Sequence, residues 1–109
     1  MLTVLWRSNL GAEILENNTH LFSKVQIILE TDQNKALSHI NKVDILVDGN
    51  PSIELLNNQR LTHVIVPFVG IEPSLREALL ERRHIQLHNS HYNSGFVAQH
   101  TLALLLACA

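Results

Sequence analysis

Apolar residues gather in five short runs: Leu2–Trp6, Val25–Leu29, Val43–Val47, His63–Phe68 and Ile85–Leu87. Within most of these runs apolar side chains follow one another instead of alternating with polar ones. That pattern marks a strand buried on both faces. Between the runs the period lengthens. Leu10, Ile14, Leu15 and Phe22 are spaced as a helical stripe, with Ser8 or Asn9 as its cap. Ala36, Leu37 and Ile40 form a second stripe after Thr31-Asp32. Asn50-Pro51 reads as a cap followed by proline at the first helical position, leading into Ile53, Leu55 and Leu56. Glu72-Pro73-Ser74 opens a fourth helix, with Leu75, Ala78, Leu79 and Leu80 expected to face inward.

Strand starts recur about every 20 residues, the length of one strand-helix unit. Strict alternation of strand and helix predicts an α/β fold, a parallel sheet with helices on both faces and right-handed crossovers. The expected strand order is the flavodoxin-like 2-1-3-4-5. Residues 1–93 make up this expected domain. From Ser94 a strong helix-forming run begins, and no stop signal appears before Ala109. The stretch Thr101 to Ala109 carries no charge, and a helix so apolar needs partners on more than one side. Residues 94–109 are therefore read as the start of an interdomain helix in a longer protein. Without its neighbour this helix is expected to drive self-association.

Composition narrows the classes. Hydrophobic residues make up 46% and charged residues 17% of the 109 positions, which argues for a packed core and against disorder. Net charge is −2, and the eight basic residues are scattered. Nothing there gathers phosphate backbones or anionic lipid, so no nucleic-acid or membrane partner is expected. The single cysteine, Cys108, fits a reducing cytoplasm. The N-terminus has no basic segment and cleavage site of the signal-peptide kind. The final apolar stretch is far shorter than the roughly 20 residues of a membrane span.

On wound parallel sheets, ligands bind beyond the C-terminal ends of the strands. Those ends carry Arg7-Ser8, Thr31-Asp32, Asp48-Gly49-Asn50, Val69-Gly70 and His88-Asn89-Ser90. Gly70 allows a turn that exposes backbone N–H groups, and two adjacent ones can hold a carboxylate; a plain strand-to-helix turn explains the same residues. Asn93 can cap the last helix or offer its amide to a ligand oxygen, and Ser94 could take the capping role. His84, His88 and His91 have the spacing of one helix face, but Ile85–Leu87 reads as a strand and no acid or cysteine completes a metal set. Asp48 ends the third strand, as the phosphorylated aspartate of a response-regulator receiver does. That chemistry needs an acidic pair after the first strand and a lysine after the fifth, where this chain has Arg7-Ser8 and Asn89-Ser90. No Gly-rich dinucleotide loop, Walker loop, nucleophile elbow or Cys-x-x-Cys is present.

The last third of the chain carries a resemblance. A strand leads into the turn Phe68-Val69-Gly70-Ile71-Glu72, then a helix, a fifth strand and the run Asn93-Ser94-Gly95-Phe96-Val97-Ala98-Gln99-His100-Thr101-Leu102-Ala103-Leu104-Leu105-Leu106. This is similar to the end of the substrate-binding domain of the D-isomer-specific 2-hydroxyacid dehydrogenases. There a Gly-Ala-Gly-Val-Asp-type turn precedes an Asn-Ala-x-x-Val-Ala-Glu-His-Thr-Leu-Ala-Leu-Leu-Leu helix. The formate dehydrogenase branch shares Asn-Ser at the helix start. The order of elements matches throughout, and the residue match is specific from about His63 onward.

The resemblance implies that the chain is the substrate-binding part of an oxidoreductase. A Rossmann domain carrying NAD or NADP would follow it, and a small 2-hydroxy or 2-oxo acid would be the substrate. By the same resemblance, backbone N–H groups at Val69 and Gly70 hold the substrate carboxylate, and Asn93 lines the site. The third-strand loop Asp48-Gly49-Asn50-Pro51 borders the pocket. The family's catalytic Arg, Glu and His would all lie downstream, so the chain alone is expected to be inactive. Gln99 stands where the family has Glu, Glu72 where it has Asp, and Phe68 where Gly is frequent. The third-strand loop lacks the Arg-Ser of phosphoglycerate-dehydrogenase-like members, and a negative Asp48 there would repel an anion unless turned away. The reading from a different class is a free-standing flavodoxin-like interaction module, receiver-like without a phosphorylation site.

Overall fold

Continuous apolar runs form strands because their side chains can be covered on both sides of a pleated layer. The computed structural model describes residues 2–8, 25–66 and 71–89. Its strands are β1 (Leu2–Trp6), β2 (Val25–Leu29), β3 (Ile45–Val47), β4 (His63–Val66) and β5 (Gln86–Asn89). All pairs are parallel and the order is β2-β1-β3-β4-β5, the wound order expected from the alternation. Val4 lies opposite Ile27 on one side and Ile45 on the other, and Ile45 lies opposite His63.

Three described helices, α1 (Gln33–Ser38), α2 (Ile53–Leu56) and α3 (Pro73–Leu80), connect successive strands, and a 3₁₀ turn spans Ile40–Lys42. Asp32 caps α1 by accepting the Lys35 N–H at 3.0 Å. Pro73 occupies the first turn of α3, where its missing N–H costs nothing. All three helices pack on one face of the sheet. Ala36, Leu55, Leu56, Leu75, Ala78 and Leu79 meet Leu5, Leu46, Val64 and Val66 there. The other face buries Val4, Trp6, Ile45, Val47 and Ile65, all strand residues. The helices expected before Val25 and after Asn93 lie outside the described residues.

Several local expectations change. β2 and β5 are the edges of the sheet, so Gln26, Leu29 and Gln86 are exposed instead of buried on both faces. β3 starts at Ile45, two residues later than the apolar run, and Asp44 just before it binds Thr3 of β1 through both its backbone N–H and its carboxylate. β5 starts at Gln86, since the Ile85 N–H closes a turn onto the Arg82 carbonyl. Ser52, not Asn50, is the N-cap residue of α2, and Pro51 precedes the helix. The Asn50 N–H is held at 3.1 Å by the Asp48 carboxylate, which keeps that residue in a turn. Ile53 (57% exposed) and Leu80 (71% exposed) face outward, because neither lies on its helix's buried stripe.

Asp44 joins three strands at the N-terminal end of the sheet. Its Oδ2 accepts the Thr3 N–H at 2.8 Å, and its own N–H donates to the Thr3 carbonyl at 2.8 Å. Its carbonyl accepts the Thr62 N–H at 2.9 Å, while Oδ1 takes the Arg60 Nε–H at 2.9 Å. Below it, Asn58 donates to the carbonyls of Ile40 and Val43, filling the donor needs of a buried amide.

Candidate functional site

In the order β2-β1-β3-β4-β5 the chain winds one way from β1 to β2 and the other way from β3 onward. The loops after β1 and β3 therefore part, and a crevice opens between them. Here that crevice is an open cleft of about 870 Å³. Arg7 and Ser8 enter it from β1, and Asp48, Gly49 and Asn50 from β3. Gln33 comes from the first turn of α1, and Ile71, Glu72 and Pro73 from the start of α3.

The floor of the cleft is an ion pair. Arg7 Nη1 donates to Asp48 Oδ2 at 3.0 Å, and each side chain is only 12% exposed. Arg7 Nη2 donates to the Thr31 carbonyl at 2.9 Å, tying the pair to the end of β2. The backbone fixes both partners. The Arg7 N–H donates to the Val47 carbonyl at 2.8 Å, and the Asp48 N–H to the Ile65 carbonyl at 3.1 Å. Arg7 Nε is buried with no hydrogen-bond partner. A guanidinium has five N–H groups, so donors remain beyond the two in use. Asp48 Oδ1 accepts the Asn50 N–H, and both of its oxygens keep spare lone pairs. At the side of the cleft, Gln33 Nε2 donates to Ser52 Oγ at 2.8 Å, which ties α1 to the start of α2.

The residues expected to form the site divide three ways. Asp48, Gly49 and Asn50 line the cleft. Pro51 is buried behind them and is not among the lining residues. Val69, Gly70 and Asn93 lie outside the described residues, although Ile71 and Glu72, which follow Gly70 in the chain, do line the cleft. Asp48 does not present a bare charge to an incoming anion, since Arg7 neutralises it. Arg7, Gln33 and Glu72 were not in the expected site. The rule that ligands bind at strand ends pointed to Arg7, but its partner across the switch point could not be read from local spacing.

A second polar pair lies on the opposite face from the helices. His63 Nδ1 and His88 Nε2 are 3.0 Å apart, one donating to the other, and the rings are stacked with centroids 5.2 Å apart. Burial, and then the charge of His63, lowers the His88 pKa below its ordinary value of 6.5. Among the described residues no three histidine, cysteine, aspartate or glutamate side chains gather as a metal site. No described helix is long and apolar enough to cross a membrane.

No protein-family model matches the chain, and no curated protein matches it either. The cleft and its residues therefore carry the functional argument.

Proposed function

We propose that this chain is the substrate-binding domain of a cytoplasmic NAD(P)-dependent oxidoreductase of the D-2-hydroxyacid dehydrogenase type. The observation that carries the reading is the cleft at the β1/β3 switch point, lined by Asp48, Gly49 and Asn50 from the loop that the resemblance assigns to the substrate pocket. Its size suits a small molecule. Ile71 and Glu72, which follow Val69 and Gly70 in the chain, line the same cleft.

The dinucleotide does not fit this sheet. A nucleotide loop after β1 would need glycines that let a pyrophosphate approach the backbone. Arg7 and Ser8 stand there instead, with the Arg7 guanidinium drawn across the crevice to Asp48. NAD or NADP would belong to a separate Rossmann domain, and no catalytic step is assigned to this chain. Its work is to bind and orient the acid and to form one wall of the site.

The test is 2-oxo-acid-dependent oxidation of NADH and NADPH by the full gene product that contains these residues. Turnover of a 2-oxo acid supports the reading, and a folded gene product inert toward every 2-oxo acid refutes it. One observation favours an interaction module instead. Arg7 and Asp48 neutralise each other, so the crevice is electrostatically stable with no ligand. Such a module binds no 2-oxo acid, and the same assay separates the two.

A further inference from the structure

Resting on the substrate-binding reading above, we infer that Arg7 is itself a ligand-binding residue: its guanidinium donates to the carboxylate of the bound acid while staying paired with Asp48. The observation is an unmet donor. Among the described residues, two buried side-chain nitrogens have no hydrogen-bond partner, Trp6 Nε1 and Arg7 Nε. Trp6 is 1% exposed, packs with Val4, Val47 and Ile65 in the strand-only face, and does not line the cleft. Arg7 does line it, and 12% of its side chain is open. A buried N–H with no acceptor is costly, and native structures hold few. Where the unmet donor belongs to a residue bordering an open cleft, a ligand oxygen is the acceptor that removes the cost.

The guanidinium is already held in place for this. Nη1 donates to Asp48 Oδ2 at 3.0 Å, and Nη2 to the Thr31 carbonyl at 2.9 Å. Two of its five N–H groups are in use, which leaves three. Nε and Nη2 share one edge of the planar group, and Asp48 sits off that edge, at Nη1. A carboxylate meets the free edge with an oxygen on Nε–H, and the Asp48 pair stays closed. Asp48 has two opposing effects. It fixes the guanidinium across the crevice, and it weakens the pull on an anion. The pull wins because the ligand touches the cation, whereas Asp48 faces the ligand from the far side of the guanidinium, and Coulomb energy falls with distance. Glu72, the other charge lining the cleft, is exposed, so water and salt screen it. A lysine at this position would not serve both anions in this way. Its ammonium is a point charge without a planar edge, and pairing with Asp48 takes it up.

The experiment is a ¹⁵N NMR titration of this chain with pyruvate and with methyl pyruvate, which keeps the 2-oxo group and lacks the anion. The Arg7 Nε–H and the Gly49 and Asn50 amides are followed. Pyruvate is expected to shift the Arg7 Nε–H downfield and saturably, with methyl pyruvate at least roughly tenfold weaker. Arg7→Lys keeps a cation for Asp48 but loses the Nε–H. It is expected to weaken pyruvate at least roughly tenfold, read at Gly49 and Asn50, and to leave methyl pyruvate within roughly twofold. A role confined to pairing with Asp48 predicts no such loss, since lysine fills it. If Arg7→Lys does not fold, the wild-type Nε–H titration decides alone. Saturable shifts at Gly49 and Asn50 with the Arg7 Nε–H unmoved, or equal affinity for acid and ester, overturn this inference and leave the substrate-binding reading intact. No saturable shift with pyruvate overturns this inference as well, and the reading is then decided by 2-oxo-acid turnover in the full gene product.

Discussion

Asp44→Ala is expected to destabilise the fold by about 2–3 kcal/mol. Asp44 and Thr3 are 8% and 6% exposed, and Thr3 N–H donates to the Asp44 carboxylate at 2.8 Å. Removing the carboxylate leaves a buried backbone donor without an acceptor, at about 1–3 kcal/mol. The ion pair to Arg60 adds little. The Arg60 side chain is 53% exposed, and such pairs are worth at most about 1 kcal/mol. The backbone bonds of residue 44 to Thr3 and Thr62 survive the substitution, so the sheet keeps its register. Asp44→Asn preserves an acceptor for the Thr3 N–H and is expected to cost no more than about 1 kcal/mol. Urea unfolding followed by circular dichroism measures both, with the slope checked to be unchanged. An Asp44→Ala chain within about 0.5 kcal/mol of wild type would refute the argument that this carboxylate pins β1 to β3. Equal losses for Ala and Asn would refute the assignment to the Thr3 acceptor and point to charge instead.

Leu46→Ala, at a fully buried site in the central strand, is expected to cost about 2–5 kcal/mol, whereas Leu80→Gln on the outer face of α3 should stay within about 0.5 kcal/mol; thermal or urea unfolding of the two side by side checks the assigned faces. The His63–His88 pair makes stability depend on pH. The lowered His88 pKa means the unfolded chain takes up its proton first, so the stabilising neutral form is fully populated above about pH 6.5 and its contribution is lost as pH falls through the folded-state value. Melting temperature should therefore fall more steeply between about pH 7.5 and about pH 5.5 in wild type than in His88→Gln. Parallel melting curves that track each other across that range would show that His88 titrates as it does in the unfolded chain.

β1 and β2 occupy the same residues as their apolar runs, which end at the charged residues Arg7 and Glu30. The expected order 2-1-3-4-5 already placed β1 inside the sheet and β2 at its edge. Leu2–Trp6 and Val25–Leu29 are alike in length and character, yet one is buried on both faces and the other lies at an edge. That difference comes from the winding of the chain, a property of the whole sheet. The start of β3 was misplaced for a related reason. An aspartate inside Val43–Val47 looked like a tolerated exception, but just before the strand begins its backbone N–H and its carboxylate both hold Thr3 of the neighbouring strand. In α2, Asn50-Pro51 has the composition of a helix start. The carboxylate two residues earlier holds the Asn50 N–H, and the helix begins later.

The same long-range pairing decides what the candidate site is. Taken alone, Asp48 is a negative charge at the mouth of the crevice, an argument against any anionic ligand. Arg7 is 41 residues away in the chain, and only parallel neighbours β1 and β3 bring the two ends together. Once paired, they turn a repulsive charge into a neutral floor with a donor on one side and an acceptor on the other. A local motif could not reveal this, because neither residue has a distinctive neighbour. The switch-point rule could have, since it names β1 and β3 as the strands whose ends face one crevice. Reading strand-end residues as pairs across that crevice, instead of one loop at a time, is the step that joins Arg7 to Asp48.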